Sequence, residues 1–88
     1  MSYSVEFTDK AKKAMRHLDP QQNRILISWI KKNLQNCEDP RLHGKPLAGN
    51  KRGYWRYRIG SYRLIADIKD DVLCILFINI GHRKDIYQ

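Results

Sequence analysis

The chain has 88 residues, enough for one small domain that folds on a single core with little stability in reserve, so residues 1–88 are read as one unit. Lysine and arginine number 17 against 9 acidic residues, and the resulting formal charge of +8 points to nucleic acid, an anionic membrane surface or an acidic protein as partner. The longest apolar run, Val72–Ile78, is far too short to span a bilayer and MSYSVEF lacks a basic-then-apolar leader, so the expectation is a soluble cytoplasmic protein with no membrane role.

Ser2–Phe7 alternates, with Tyr3, Val5 and Phe7 on one side, and predicts a first strand. Thr8 offers an N-cap and Asp9 an acidic first turn for a helix in which Ala11, Ala14, Met15 and Leu18 recur at helical spacing. Its other face holds Lys10, Lys12, Lys13 and Arg16, which the plainer reading makes a solvated surface. Asp19 and Pro20 restart the chain as N-cap and first helical residue. The second helix is expected to reach about Gln35 and to bury Ile25 or Leu26, Trp29, Ile30 and Leu34.

Cys37–Arg52 contains Pro40, Gly44, Pro46 and Gly49 and reads as a connection, with a brief extended piece within Leu42–Leu47. His17 and His43 have no partner at metal-ligand spacing and read as surface histidines. Cys37 and Cys74 also lack ligand spacing. Parity allows a disulfide between them, but isolated thiols without a secretory leader fit a reducing compartment better. No metal or cofactor is expected.

Tyr54–Leu64 reads Y-W-R-Y-R-I-G-S-Y-R-L, with aromatic or apolar residues alternating with arginine on either side of Gly60-Ser61. Such alternation predicts half-buried strands, and Gly-Ser suits a two-residue type II′ hairpin turn. The loop length opposes Ile59 to Tyr62, Arg58 to Arg63, Tyr57 to Leu64 and Arg56 to Ile65. One face then carries Trp55, Tyr57, Ile59, Tyr62 and Leu64, and the other Arg56, Arg58 and Arg63. Like charges directly opposite each other destabilise an antiparallel pair. Such a cluster calls for a reason outside folding, and a polyanion supplies one.

A three-residue turn at Lys69-Asp70-Asp71 would pair Ile68 with Val72, Ala66 with Cys74, Leu64 with Leu76 and Tyr62 with Ile78, all on the helix-packed face. Leu73, Ile75, Phe77 and Asn79 would face the other way, and a strand apolar on both sides belongs inside the sheet. The predicted order is β-α-α-β-β-β, an α+β fold in which an N-terminal strand and an α-hairpin join a small, mostly antiparallel twisted sheet, helices on one face. The first strand is expected beside the hairpin or beside the last strand. The arginine face is expected to be open.

The chain closes N-I-G-H-R-K-D-I-Y-Q. This register delivers His82, Arg83 and Tyr87 beside Arg58 and Arg63, with Lys84 adding charge. Arginine suits a phosphodiester because its planar fork meets two oxygens and stays charged. Fixed cations would stabilise the extra charge of a phosphorane-like transition state. Tyr87 could stack on a base or exchange a proton, and His82 has the reference pKa better placed for acid–base work. The plainer alternatives are a solubilising strand face for Arg56 and Arg58, a basic tail for Arg83 and Lys84, and a packing role for Tyr87.

F-T-D-K-A-K-K-A-M-R-H-L, L-A-G-N-K-R-G-Y-W-R-Y-R-I-G-S-Y-R-L and N-I-G-H-R-K-D-I-Y together make the whole chain resemble the RelE branch of the RelE/ParE superfamily of bacterial toxins. The resemblance implies a metal-independent endoribonuclease that cuts mRNA in the ribosomal A site, leaves a 2′,3′-cyclic phosphate and a 5′-hydroxyl, and inhibits translation. It assigns catalytic or RNA-binding roles to Arg56, Arg58, Arg63, Arg83 and Tyr87. RelE itself has lysines where Arg56 and Arg58 stand, which disfavours a proton acceptor there and keeps phosphate stabilisation. No counterpart of the Glu–His pair of the YoeB-like branch is present, so His82 or Tyr87 is the expected base. The implied partners are a cognate antitoxin, the ribosome with its mRNA, and operator DNA only through the antitoxin complex. Two other readings stand beside it: a ParE-like DNA gyrase inhibitor without nuclease activity, and a nuclease-dead antitoxin-binding protein.

Overall fold

The computed structural model describes residues 2–49 and 53–82. Its elements are β1 (Ser4–Phe7), α1 (Asp9–Arg16), α2 (Pro20–Asn33), a 3₁₀ turn at Pro40–Leu42, β2 (Lys45–Pro46), β3 (Trp55–Ile59), β4 (Tyr62–Lys69) and β5 (Cys74–His82). The strands lie in the order β1-β5-β4-β3-β2, with β1 parallel to β5 and every other pair antiparallel. The fold is α+β as expected, with the first strand beside the last.

Thr8 caps α1 by accepting the Ala11 N–H at 3.1 Å. Asp19 makes no such side-chain bond; its carbonyl accepts the Asn23 N–H instead. α2 stops short of Gln35 because Asn36 takes a left-handed φ of 63°, a conformation that suits asparagine and ends helices. The Asn36 N–H then donates to the Tyr3 carbonyl and the Tyr3 N–H to the Cys37 carbonyl, so the turn after α2 pairs with the chain entering β1 at the sheet's outer edge. The core gathers Ala11, Met15, Leu26, Ile30 and Leu34 of the helical layer against Tyr57, Leu64, Ile75, Phe77 and Ile80 of the sheet. Phe77 lies at its centre, stacked on Phe7 at 5.3 Å and edge-on to Tyr57 at 6.0 Å.

The β3–β4 hairpin has the expected register throughout, from Ile59↔Tyr62 to Arg56↔Ile65. Gly60, at φ 60°, supplies the positive first turn position. The β4–β5 connection departs from expectation. Lys69 pairs with Cys74, Ile68 with Ile75 and Ala66 with Phe77, so the turn has four residues rather than three. Leu73 enters the left-handed region at φ 51°, and its carbonyl accepts the Ser4 N–H at 2.8 Å. Moving the register by an odd number of residues exchanges the faces. Ile75 and Phe77 therefore enter the core, while Cys74 and Leu76 turn away.

A bulge then restores part of the expected arrangement. Ala66 pairs with Phe77 but Ile65 with Asn79, leaving Ile78 as the extra residue on β5. Beyond it Asn79 and Gly81 share the face of Ile65 and Arg63, and Ile80 and His82 share the face of Leu64 and Tyr62.

Candidate functional site

The hairpin brings three sequence-predicted residues together. Arg58 opposes Arg63, Arg56 opposes Ile65, and all three arginines lie on the face away from the helices. That face is not uniformly open. Arg58 is exposed and Arg56 half-buried, while Arg63 is only 4% exposed. β4 is the middle strand of the sheet, so Arg63 stands between Arg58 of β3 and Gly81 of β5. A guanidinium held away from water interacts with an arriving phosphate through a lower effective dielectric than a surface cation does.

His82 does not join them. It is the register partner of Tyr62, its ring edge-on to the tyrosine at 5.6 Å, and Tyr62 packs against the core on the helix side. The expectation that His82 emerges beside Arg58 and Arg63 is thus corrected: it reaches the same end of the sheet on the opposite face. The bulge at Ile78 fixes this parity. Arg83, Lys84 and Tyr87 lie outside the described residues.

Sequence reasoning did not single out Lys45. The β2–β3 register opposes it to Arg56, and a depression of about 200 Å³ is lined by Gly44, Lys45, Arg56 and Arg58. The available signal was Gly44-Lys45-Pro46 itself: a glycine that permits close backbone approach and a proline that tolerates a sheet edge. The segment is pinned from below. Trp55 Nε1 donates to the His43 carbonyl at 2.7 Å and the Tyr57 hydroxyl to the Pro40 carbonyl at 2.6 Å.

Other titratable groups are tied to structure. Burial pushes the Tyr57 hydroxyl far above the ordinary range for tyrosine, which makes it a donor and not a base. Tyr3 donates to Asp70 at 2.5 Å, and Arg41 holds both Asp70 oxygens at 3.0 Å. The Arg41 and Tyr3 bonds together draw the Asp70 carboxyl below its usual value. Cys37 and Cys74 are free thiols. Desolvation raises Cys74 first, and its bond to Glu6 raises it further. Lys10, Lys12, Lys13 and Arg16 are exposed along α1. Among the described residues no three His, Cys, Asp or Glu side chains gather where they could hold a metal, and no helix is long and apolar enough to cross a membrane.

Residues 5–87 match the family model of the ParE toxin of type II toxin–antitoxin systems. The chain is 31% identical over its full length to Toxin RelG of Mycobacterium tuberculosis, covering 99% of that protein. It is 30% identical to a putative RelE-like toxin protein of Escherichia coli, again over the full chain and 93% of the relative. Among solved structures, the toxin–antitoxin complex RelBE2 of Mycobacterium tuberculosis superposes with a TM-score of 0.82 at 28% identity, covering 97% of this chain and 95% of that one. A mutant of E. coli toxin RelE in the free state gives 0.74 at 25% identity, covering 93% and 84%. The chain belongs to the RelE/ParE superfamily and is a toxin of a type II toxin–antitoxin system.

Proposed function

We propose that this toxin is an endoribonuclease that cuts mRNA in the ribosomal A site and so arrests translation. The observation that carries the reading is the hairpin face on which exposed Arg58 opposes buried Arg63, with Arg56 one pair along. The 2′-oxygen of the RNA attacks the adjacent phosphorus as it loses its proton. The bond to the 5′-oxygen breaks, and that oxygen takes up a proton as it leaves. The products are a 2′,3′-cyclic phosphate and a 5′-hydroxyl. The guanidiniums stabilise the non-bridging oxygens, whose charge grows toward the transition state. Arg83, Tyr87 and Lys84 enter through the family resemblance: Arg83 as a further phosphate ligand, Tyr87 for stacking or proton exchange, and Lys84 for RNA binding. Because His82 lies on the helix side, Tyr87 is the preferred proton-handling residue.

The free toxin is expected to be held by a cognate antitoxin, in keeping with its similarity to the toxin of the RelBE2 complex. Operator DNA would be met only through that complex, and the toxin would act in the cytoplasm. The deciding experiment is primer extension on mRNA in a translating extract. Cuts within codons that vanish when ribosomes are omitted support the reading, and uncut mRNA overturns it. The matched family model is described by the ParE toxin, which favours gyrase inhibition as the second reading. Accumulation of cleaved DNA with intact mRNA would select it.

A further inference from the structure

We infer that Lys45 is a substrate-positioning residue that holds an RNA phosphate beside the one engaged by the arginines. The inference rests on the endoribonuclease reading and extends it to the edge of the sheet. Directly opposed residues in an antiparallel pair project to the same face, so the Lys45↔Arg56 register brings the ammonium to the arginine side. Lys45, Arg56 and Arg58 line one depression of about 200 Å³ with Gly44. Among the described residues, neither the Lys45 nor the Arg58 side chain has a hydrogen-bond or ion-pair partner. The described ion pairs instead join Asp70 to Arg41 and Asp67 to Lys69. Lys45 and Arg58 both reach that depression, and an arriving phosphodiester would meet both charges.

The backbone beneath Lys45 is built for position. Gly44 has a φ of 78°, and a Cβ there would lie 2.2 Å from the Arg56 carbonyl oxygen and 2.8 Å from Trp55 Nε1. Only glycine lets β2 come this close to β3. With the bonds from Trp55 to His43 and from Tyr57 to Pro40, residues 40–46 form a fixed ledge. A lysine that merely blunted a sheet edge would need charge alone and no such support. A point cation on a fixed backbone holds a phosphate without the bidentate geometry that chemistry at phosphorus demands. Lys45 therefore acts on binding and alignment.

The test compares wild type, Lys45→Gln and Lys45→Arg in two assays: ribosome-dependent mRNA cleavage, and binding of a non-cleavable 2′-deoxy-substituted oligonucleotide followed by anisotropy across a salt series. Lys45→Gln keeps the edge polar, and thermal melting confirms that it folds. The expected result is a rise in KM of about three- to tenfold with kcat within about twofold, and a salt dependence shallower by about 0.7 in log–log slope, the change for one fewer phosphate neutralised on a single strand. Lys45→Arg restores both. Wild-type KM and salt slope in Lys45→Gln overturn the inference while leaving the nuclease reading intact. If wild type cuts no mRNA, the nuclease reading fails by itself. The oligonucleotide series then decides Lys45 alone: a lower affinity and shallower slope in Lys45→Gln support it, and unchanged values overturn it.

Discussion

Tyr62 and His82 stand opposite each other at one end of the β4–β5 ladder with their rings edge to face at 5.6 Å, whereas Arg63 and Gly81, the next pair along, share the other face. One step of the ladder thus separates a histidine on the core side from an arginine on the other face. His82→Gln is expected to leave kcat for mRNA cleavage within about fivefold of wild type, because loss of a true general acid or base costs about 10²–10⁴-fold. A pH–rate profile checks the same point. Loss of a limb of the profile in the variant would return His82 to the chemistry.

The arginines should behave differently from one another. Arg63, 4% exposed, is the arginine of the three held furthest from water. Arg63→Ala is expected to lower kcat by about 10²–10³-fold, the scale seen when one preorganised donor to a charged transition state is lost. Arg63→Lys should recover only part of that, since a point charge cannot replace a planar fork. Exposed Arg58 should show a smaller kcat effect and a stronger dependence on salt. Single-turnover cleavage at two salt concentrations separates the two residues, and equal loss at both would mean that burial does not set their roles.

The hairpin was legible because its signals agree: alternation, a Gly-Ser turn and a two-residue loop leave one register, and the Arg58–Arg63 pair follows from it. The β4–β5 pairing was not legible for the complementary reason. Val72–Ile78 is apolar at every position, so alternation carries no information about which side meets the helices, and a slip by an odd number costs nothing in the pattern. What decides is a backbone event at Leu73, where the positive φ lengthens the turn and the carbonyl bonds to Ser4. The bulge at Ile78 is likewise silent in sequence; it cancels the odd slip of the turn and returns His82 to the helix side, the parity that the expected register also implied. Lys45 was hidden because its strand has two residues and no periodicity to read. The Gly44 that positions it looks like any loop glycine until the Arg56 carbonyl is in view.

Gly44 gives the sharpest stability test. Alanine there must hold a φ of 78° and place its Cβ 2.2 Å from a carbonyl oxygen, so β2 has to withdraw from β3. Gly44→Ala is expected to cost about 1–3 kcal/mol, the range for a residue forced into a sparsely populated backbone region. Urea unfolding measures it. Substituting alanine at Gly49, where φ is 74° but no atom of the described residues other than its chain neighbours lies within 4 Å of the added Cβ, retains the torsional cost and removes the collision, so Gly49→Ala should be milder. Equal losses at the two sites would show that torsion alone, and not the close approach to Arg56, requires the glycine.

Acid should loosen the far corner of the sheet before the arginine face. Arg41 clasps Asp70 through two bonds of 3.0 Å and the Tyr3 hydroxyl donates to the same carboxylate, so the folded pKa of Asp70 lies below its unfolded value of about 3.8. A carboxyl with a depressed pKa contributes stability that is present above the unfolded value and disappears as pH falls through the folded one. Tyr3 is shifted upward, chiefly by its bond to Asp70, and its share is lost only as pH rises through that raised value, above 10. Asp70→Asn should therefore lower Tm by a constant amount between about pH 5 and 9, on the order of 2–4 °C for a solvent-exposed pair in a domain of this size. Below pH 3.8 the wild-type and variant melting curves should converge. A difference that persisted undiminished at about pH 2.5 would mean that Asp70 acts through shape and not through its charge.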